Sequence, residues 1–213
     1  ALPQQSPRSL VVRIYDLLEG CRSERYRLLD PSHHVARISA AIAEAMDMPE
    51  PVIRKAWLAG FLHDAGKVLV SRRVHFKAGP LTFDERAIMR RHPELGAAMI
   101  ESLNMPEIVR AVRHHHERIN GSGYPLGLTG QDIPALARLV AVADHYAALR
   151  EERCYRPSHT HDQAMASVTR ESLSHLDIVH VARLSEIPEN RLWPLDEELH
   201  PSSDDVAGSP TTA

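Results

Sequence analysis

Cysteine is nearly missing from this sequence: Cys21 and Cys154 are the two among 213 residues, far apart and without CxxC spacing. That excludes a disulfide framework and a thiolate metal site, and leaves two free thiols suited to a reducing compartment. Long apolar runs are missing too. Stretches such as LARLVAVA at 136–143 are far too short to span a bilayer and no basic-then-apolar signal pattern opens the chain, so it reads as cytoplasmic with no membrane partner. A dominant sign of charge is also lacking. The 25 Lys and Arg against 28 Asp and Glu leave a net charge of −3, which offers no footprint for a nucleic acid polymer or an anionic surface. What the chain has in excess is histidine, with 14. Imidazole is the commonest metal ligand and titrates near neutrality, so the excess directs attention to ligand spacing.

Residues 1–7 and 201–213 are polar and rich in Pro and Ser, the composition of a frayed N-terminus and a disordered C-terminal tail, and residues 8–200 read as one domain. Apolar residues recur there at steps of three and four in SLVVRIYDLLEG, HHVARISAAIAEAMDM, PVIRKAWLAGFLHDAG, TFDERAIMRRHPELGAAMIESLN, MPEIVRAVRHHHERI, PALARLVAVADHYAALREE, HDQAMASVTRESL and DIVHVARLSEI. No period of two persists, so the expectation is an all-α, single-domain helical bundle. Punctuation agrees: Thr82 with Glu85 makes a capping-box pattern, Pro51 and Pro106 suit first turns, and Gly60, Gly66 and Gly121 fall near helix ends. The least helical stretches are 67–81 and 120–133, whose Gly, Pro and polar residues suit loops at the mouth of a site.

The densest chemistry lies in HDAGK, His63 to Lys67, at the end of an apolar helix, and in RHHHERINGSGYP, residues 113–125. Adjacent His and Asp offer one nitrogen ligand and one carboxylate able to bridge two cations, and Gly66 can turn Lys67 towards the same point. Alone, those residues equally suit a solvated helix C-terminus with a glycine cap. Four further places bear on the choice: His34 in HVARI, His92 in RRHPELGA, His115 and His116 in HHHERI, and Asp144 in ARLVAVADHYAAL. Each histidine has a plain reading as a surface or hydrogen-bonded core residue. Asp144 is harder to dismiss, because a carboxylate on so apolar a helix must be neutralised, paired or metal-bound.

Taken in order, H…HD-x-G-K…HP-x-x-GA…HHE-x-x-N-G-x-GYP…AR-x-x-x-VAD…R-x-YR closely resembles the HD-GYP subgroup of the HD superfamily of metal-dependent phosphohydrolases, from about His34 to Arg156. The resemblance implies an HD-type helical bundle with two or three divalent ions, iron or manganese, zinc being a further option. It implies a cyclic di-GMP phosphodiesterase whose products are pGpG, GMP or both. The implied metal ligands are His34, His63, Asp64, His92, His115, His116 and Asp144, with Asp64 bridging. Such a mixed nitrogen and oxygen set suits Fe, Mn or Zn better than Ca or Mg. Asp30 stands four residues before His34, where members with a third metal carry an acidic ligand; Asp30 followed by Pro31 equally suits a helix N-cap and first turn. By the register of the HHE motif, His114 stands outside the ligand set, either supporting a ligand or exposed.

Asp64 and Lys67 are the implied catalytic residues, and Lys67, Gly123, Tyr124, Pro125, Arg153 and Arg156 the substrate-binding ones. The implied chemistry uses water between two cations as the nucleophile, with Lys67 on a non-bridging oxygen and the two arginines on the second phosphate. The plain readings remain open: Lys67 as a solvated cation, Arg153 and Arg156 as surface charges, Tyr124 as loop packing. Glu117 either orients a histidine or pairs with Arg118. His75, His159, His161 and His200 read as surface residues. Asn120 stands where the family has Asp, Ala147 where it has an acidic residue, and Ala65 where it has Ile. The first two are expected to loosen the loop and lower activity. Partners follow from the same reading: cyclic di-GMP, regulatory proteins on the domain surface, a second copy. Two alternatives stand beside it, a weakly active or inactive cyclic di-GMP-binding or protein-interaction module, and an HD-type hydrolase of another nucleotide phosphate.

Overall fold

The computed structural model describes residues 29–152 and 157–193, with side chains from residue 32 onward. The first predicted helix, both chain ends, Cys21, Cys154, Arg153, Arg156, His200 and the side chain of Asp30 lie outside the described residues. Within them every regular element is helical, apart from one isolated bridge between Asn120 and Thr129. None of these helices is long and apolar enough to cross a membrane.

Helices α1 (Leu29–Ala45) and α2 (Glu50–Leu62) form a hairpin turned by Asp47 at φ 52. A 3-10 turn, Ala65–Leu69, follows α2 and leads to the short α3 (Arg72–His75). Next come α4 (Phe83–Met89), α5 (His92–Ile100) and α6 (Pro106–His114), then a loop, then α7 (Ala135–Arg150). Helices α8 (His161–Glu171), α9 (Ile178–Ser185) and α10 (Glu189–Leu192) close the described chain. Helix α7 buries Ala137, Leu139, Val140, Ala141, Val142, Ala143, Tyr146 and Ala147, an almost complete circumference, and so runs through the middle, touching α1, α2, α6, α8 and α9. Around it Ile38, Ile42, Leu62, Ile100 and Ile108 are fully buried. Each contributes about 1.5–3 kcal/mol relative to exposure.

Helix starts follow the expected punctuation. Thr82 and Glu85 close a reciprocal capping box, Pro51 and Pro106 stand in first turns, and Thr160 with Gln163 forms a second box that the sequence reading missed. Three expectations need correction. The segment 82–104 is not one helix: it breaks at Arg90 and Arg91, because Pro93 has no N–H for the Met89 carbonyl and its ring crowds that carbonyl. The stretch 67–81 is partly helical, holding the 3-10 turn and α3. Gly121 is not near a helix end but turns the later loop at φ 80.

Candidate metal centre

Three histidines arrive at the centre by one local device. His63 and His115 directly follow the last residues of α2 and α6, and His92 opens α5 three residues after α4 ends. Each ring donates its Nδ1 proton to the carbonyl three residues back: Gly60 at 2.6 Å, Met89 at 2.9 Å and Val112 at 2.8 Å. Those carbonyls belong to last helical turns, where the i+4 amide that would claim them is missing. A carbonyl can only accept, so the proton sits on Nδ1, and where the ring is neutral, as at His115, a bare lone pair is left at Nε2. The same bond sets the orientation of each ring.

The Nε2 atoms converge. Those of His92 and His115 are 3.4 Å apart, and His116 Nε2 is 3.2 Å from that of His92. Asp64 Oδ1 lies 3.2 Å from His92 Nε2. Asp64, His92, His115 and His116 thus offer donor atoms all within 4.8 Å of one another. Burial, then the neighbouring histidines, hold the pKa of both His115 and His116 well below the ordinary range, so these rings stay neutral. Lone pairs facing lone pairs at such distances repel unless a cation lies among them. Asp64 Oδ1 has the same need, being buried without a hydrogen bond. The residues therefore fit a divalent metal, and a donor set of nitrogen and carboxylate oxygen fits Fe, Mn or Zn.

His63 and Asp144 approach from the side. His63 Nε2 is 3.2 Å from Asp64 Oδ2 and 3.7 Å from Asp144 Oδ1. Burial pulls the His63 pKa down, but Asp64 and Asp144 outweigh it and push it up to about 9. Burial works against ionisation of Asp64 too, yet His63 and Lys67 hold its pKa well below the carboxylate range. Lys67 Nζ sits 2.5 Å from Asp64 Oδ2. His34 stands outside the group of four, its ring against Trp193 with centres 3.9 Å apart.

Close backbone approach makes this convergence possible. A Cβ on Gly66 would lie 2.0 Å from the His92 carbonyl oxygen and 2.4 Å from Gly96 N, so only glycine lets the 3-10 turn rest on α5. Gly66 therefore serves contact rather than turning, and Gly96 in HPELGA is its counterpart, which the sequence reading did not single out.

The GYP loop is anchored by Glu117, and neither sequence reading of that residue holds. Its buried carboxylate accepts from the Leu126 N–H at 2.8 Å and the Leu128 N–H at 3.0 Å. Arg118 instead donates to the carbonyls of His115 and Glu117. His114 is buried beside Glu117, Nδ1 to Oε1 3.6 Å, so it backs the loop anchor and does not face the cluster. Gly123 lets the loop return: a Cβ there would lie 2.4 Å from Glu117 Cα and Arg118 N. Tyr124, followed by a cis bond to Pro125, stacks on His116 with ring centres 4.7 Å apart, and Arg90 Cζ lies 5.0 Å from the centre of the tyrosine ring. Asn120 keeps its turn, with Oδ1 accepting from the Ser122 N–H at 3.1 Å and the Ser122 hydroxyl at 2.7 Å. Ala147 is buried within the core, away from solvent.

The chain matches the HD domain family over residues 16–178. It is 42% identical over 124 residues to a cyclic di-GMP phosphodiesterase of Pseudomonas aeruginosa, covering 57% of this chain and 30% of that protein. It is 34% identical over 180 residues to a 3'3'-cGAMP-specific phosphodiesterase of Vibrio cholerae, covering 82% of this chain and 33% of that protein. The chain spans less than half the length of the curated relatives it matches. Among solved structures, an HDG"Y"P protein from Bdellovibrio bacteriovorus shares the fold at a TM-score of 0.60 and 21% identity, over 74% of this chain and 51% of that one.

Proposed function

The chain belongs to the HD domain family, and from that premise we propose that it is a metal-dependent phosphodiesterase hydrolysing cyclic di-GMP to pGpG, GMP or both. One observation carries the reading: the facing Nε2 lone pairs of His92, His115 and His116 beside the unbonded Asp64 oxygen, a cluster that calls for cations. In this reading His34, His63, Asp64, His92, His115, His116 and Asp144 would hold two or three divalent ions, iron or manganese in preference to zinc, and Asp30 would join them if a third ion binds. When bound, the ions supply Lewis acidity at a phosphoryl oxygen and acidify water at the site. Lys67, paired with Asp64 Oδ2, holds a non-bridging oxygen as a point charge. Tyr124 lies along His116 and limits the approach to it, with Gly123 and Pro125 shaping the loop that carries it. Arg153 and Arg156 grip the second phosphate.

Identity to the 3'3'-cGAMP-specific relative supports a second reading with the same chemistry and a mixed cyclic dinucleotide as substrate. A cytoplasmic signalling role, with regulatory proteins or a second copy on the domain surface, goes with either. The test is product analysis. Protein purified without oxygen and loaded with Fe or Mn is incubated with each dinucleotide, and cyclic di-GMP should yield pGpG or GMP fastest. Full metal occupancy with nucleotide binding and no product would leave a binding module instead.

A further inference from the structure

Arg90 is absorbed neither by the motif pattern nor by the metal cluster. It caps the C-terminus of α4 at φ −62, ψ −7, two residues before His92, so the break enforced by Pro93 sets the positions of both. Its guanidinium lies over the Tyr124 ring, which in turn stacks on His116. Arg90 is exposed, and among the described residues its guanidinium enters no hydrogen bond or ion pair. Nearby, Lys67 pairs with Asp64 beside the phosphate position assigned to it above, and Arg118 donates to the carbonyls of His115 and Glu117. An aromatic face orients a guanidinium plane without consuming any N–H, so the whole donor fork stays available. Arg90 thus reaches the cluster only through the Tyr124 ring, which stands between it and His116.

We propose that Arg90 reads the guanine base of the substrate, donating through its fork to O6 and N7, and is a specificity-determining residue; this deepens the reading given above and rests on it. Guanine presents two adjacent acceptors on that edge. Adenine presents N7 beside the N6 amino donor, which a guanidinium cannot pair. Arg90 thereby favours guanine over adenine at this position.

The experiment measures kcat/KM for cyclic di-GMP and cyclic di-AMP on metal-loaded wild type and on Arg90→Ala, Arg90→Lys and Arg90→Gln, with calorimetry giving the same ratio from Kd. Arg90→Ala lowers the guanine-to-adenine ratio roughly tenfold, within the range of one bidentate base contact. Arg90→Lys restores little of it, because a point charge does not pair both acceptors together. Arg90→Gln moves the ratio further towards adenine, whose N6 and N7 suit an amide. A ratio unchanged in all three variants, even with equal losses on both substrates, makes Arg90 a clamp on Tyr124 and overturns the assignment while the proposed activity stands. A wild type that neither binds nor cleaves either dinucleotide removes the activity and this assignment together.

Discussion

His92 and His115 face each other Nε2 to Nε2 at 3.4 Å, each with Nδ1 spent on a carbonyl of the helix that precedes it. Neither ring can turn its proton inward without abandoning that carbonyl, so the pair is organised for a cation. Stripping divalent ions with a chelator should lower Tm, and restoring Mn or Fe should raise it with ion concentration, since binding to the native state alone stabilises it. His92→Ala should bind less metal and show a smaller shift. Thermal scans with metal analysis decide this, and a Tm indifferent to ions in the wild type would contradict it.

Gly66→Ala tests the contact on which the centre rests. Its Cβ would meet the His92 carbonyl at 2.0 Å, whereas a Cβ on Gly96 meets nothing nearer than Gly66 N at 3.0 Å. Backbone must shift in the first case, at about 1–3 kcal/mol or more, and Gly96→Ala should cost less. Urea denaturation of both variants gives the order, and equal stability of the two would refute the clash.

Glu117→Gln keeps the shape and loses an acceptor. One of the two loop amides, of Leu126 or Leu128, would then face an NH2 group. Hydrogen bonds to a charged group are worth about 1.5–3 kcal/mol, so loop closure should weaken by that order. Hydrogen exchange at Leu126 and Leu128 should accelerate with little change in the α1 and α2 amides. Uniform acceleration throughout would mean global destabilisation instead.

Trp193 reports on His34. Their rings lie 3.9 Å apart, while Trp57 packs on Phe61. In Trp57→Phe protein, titration with Mn should quench Trp193 fluorescence in proportion to ion binding at His34. Metal uptake without quenching would place His34 outside the coordination set.

Acid should unfold the protein in two windows set by one buried pair. Burial lowers the His180 pKa below its ordinary 6.5, so the unfolded chain takes up a proton first and stability falls as pH drops through 6.5. Burial opposes ionisation of Asp177, but His180, the Val179 N–H and Arg138 outweigh it and depress its pKa below 3.8. The stability it provides is whole above 3.8 and is lost as pH falls below that value. Denaturation between pH 3 and 7 should show Asp177→Asn lacking the lower window. An identical acid profile in wild type and variant would refute it.

Local features of the chain were legible without coordinates, and distant ones were not. Helical periodicity, the Thr82 capping box and the first-turn prolines act within a few residues, so their reading needs only neighbours in sequence. The break at Arg90 was equally local, written in Pro93, and went unread because the apolar pattern continues across it. The motif pattern singled out His63, Asp64, His92, His115, His116 and Asp144, residues that the fold does bring close.

What the order of residues could not supply is which atoms face each other. Glu117 takes the loop amides because the chain doubles back through Gly123, and a partner nine residues away across a turn leaves no periodic trace. Gly66 matters through Gly96, thirty residues on, and Arg90 through Tyr124. Residue types and helix faces were determined by sequence alone, since propensity and pattern are short-range. The orientation of the His92, His115 and His116 lone pairs towards one point was decided only by tertiary structure, because it requires α4 and α6 to end, with their last carbonyls unclaimed, around the same small volume.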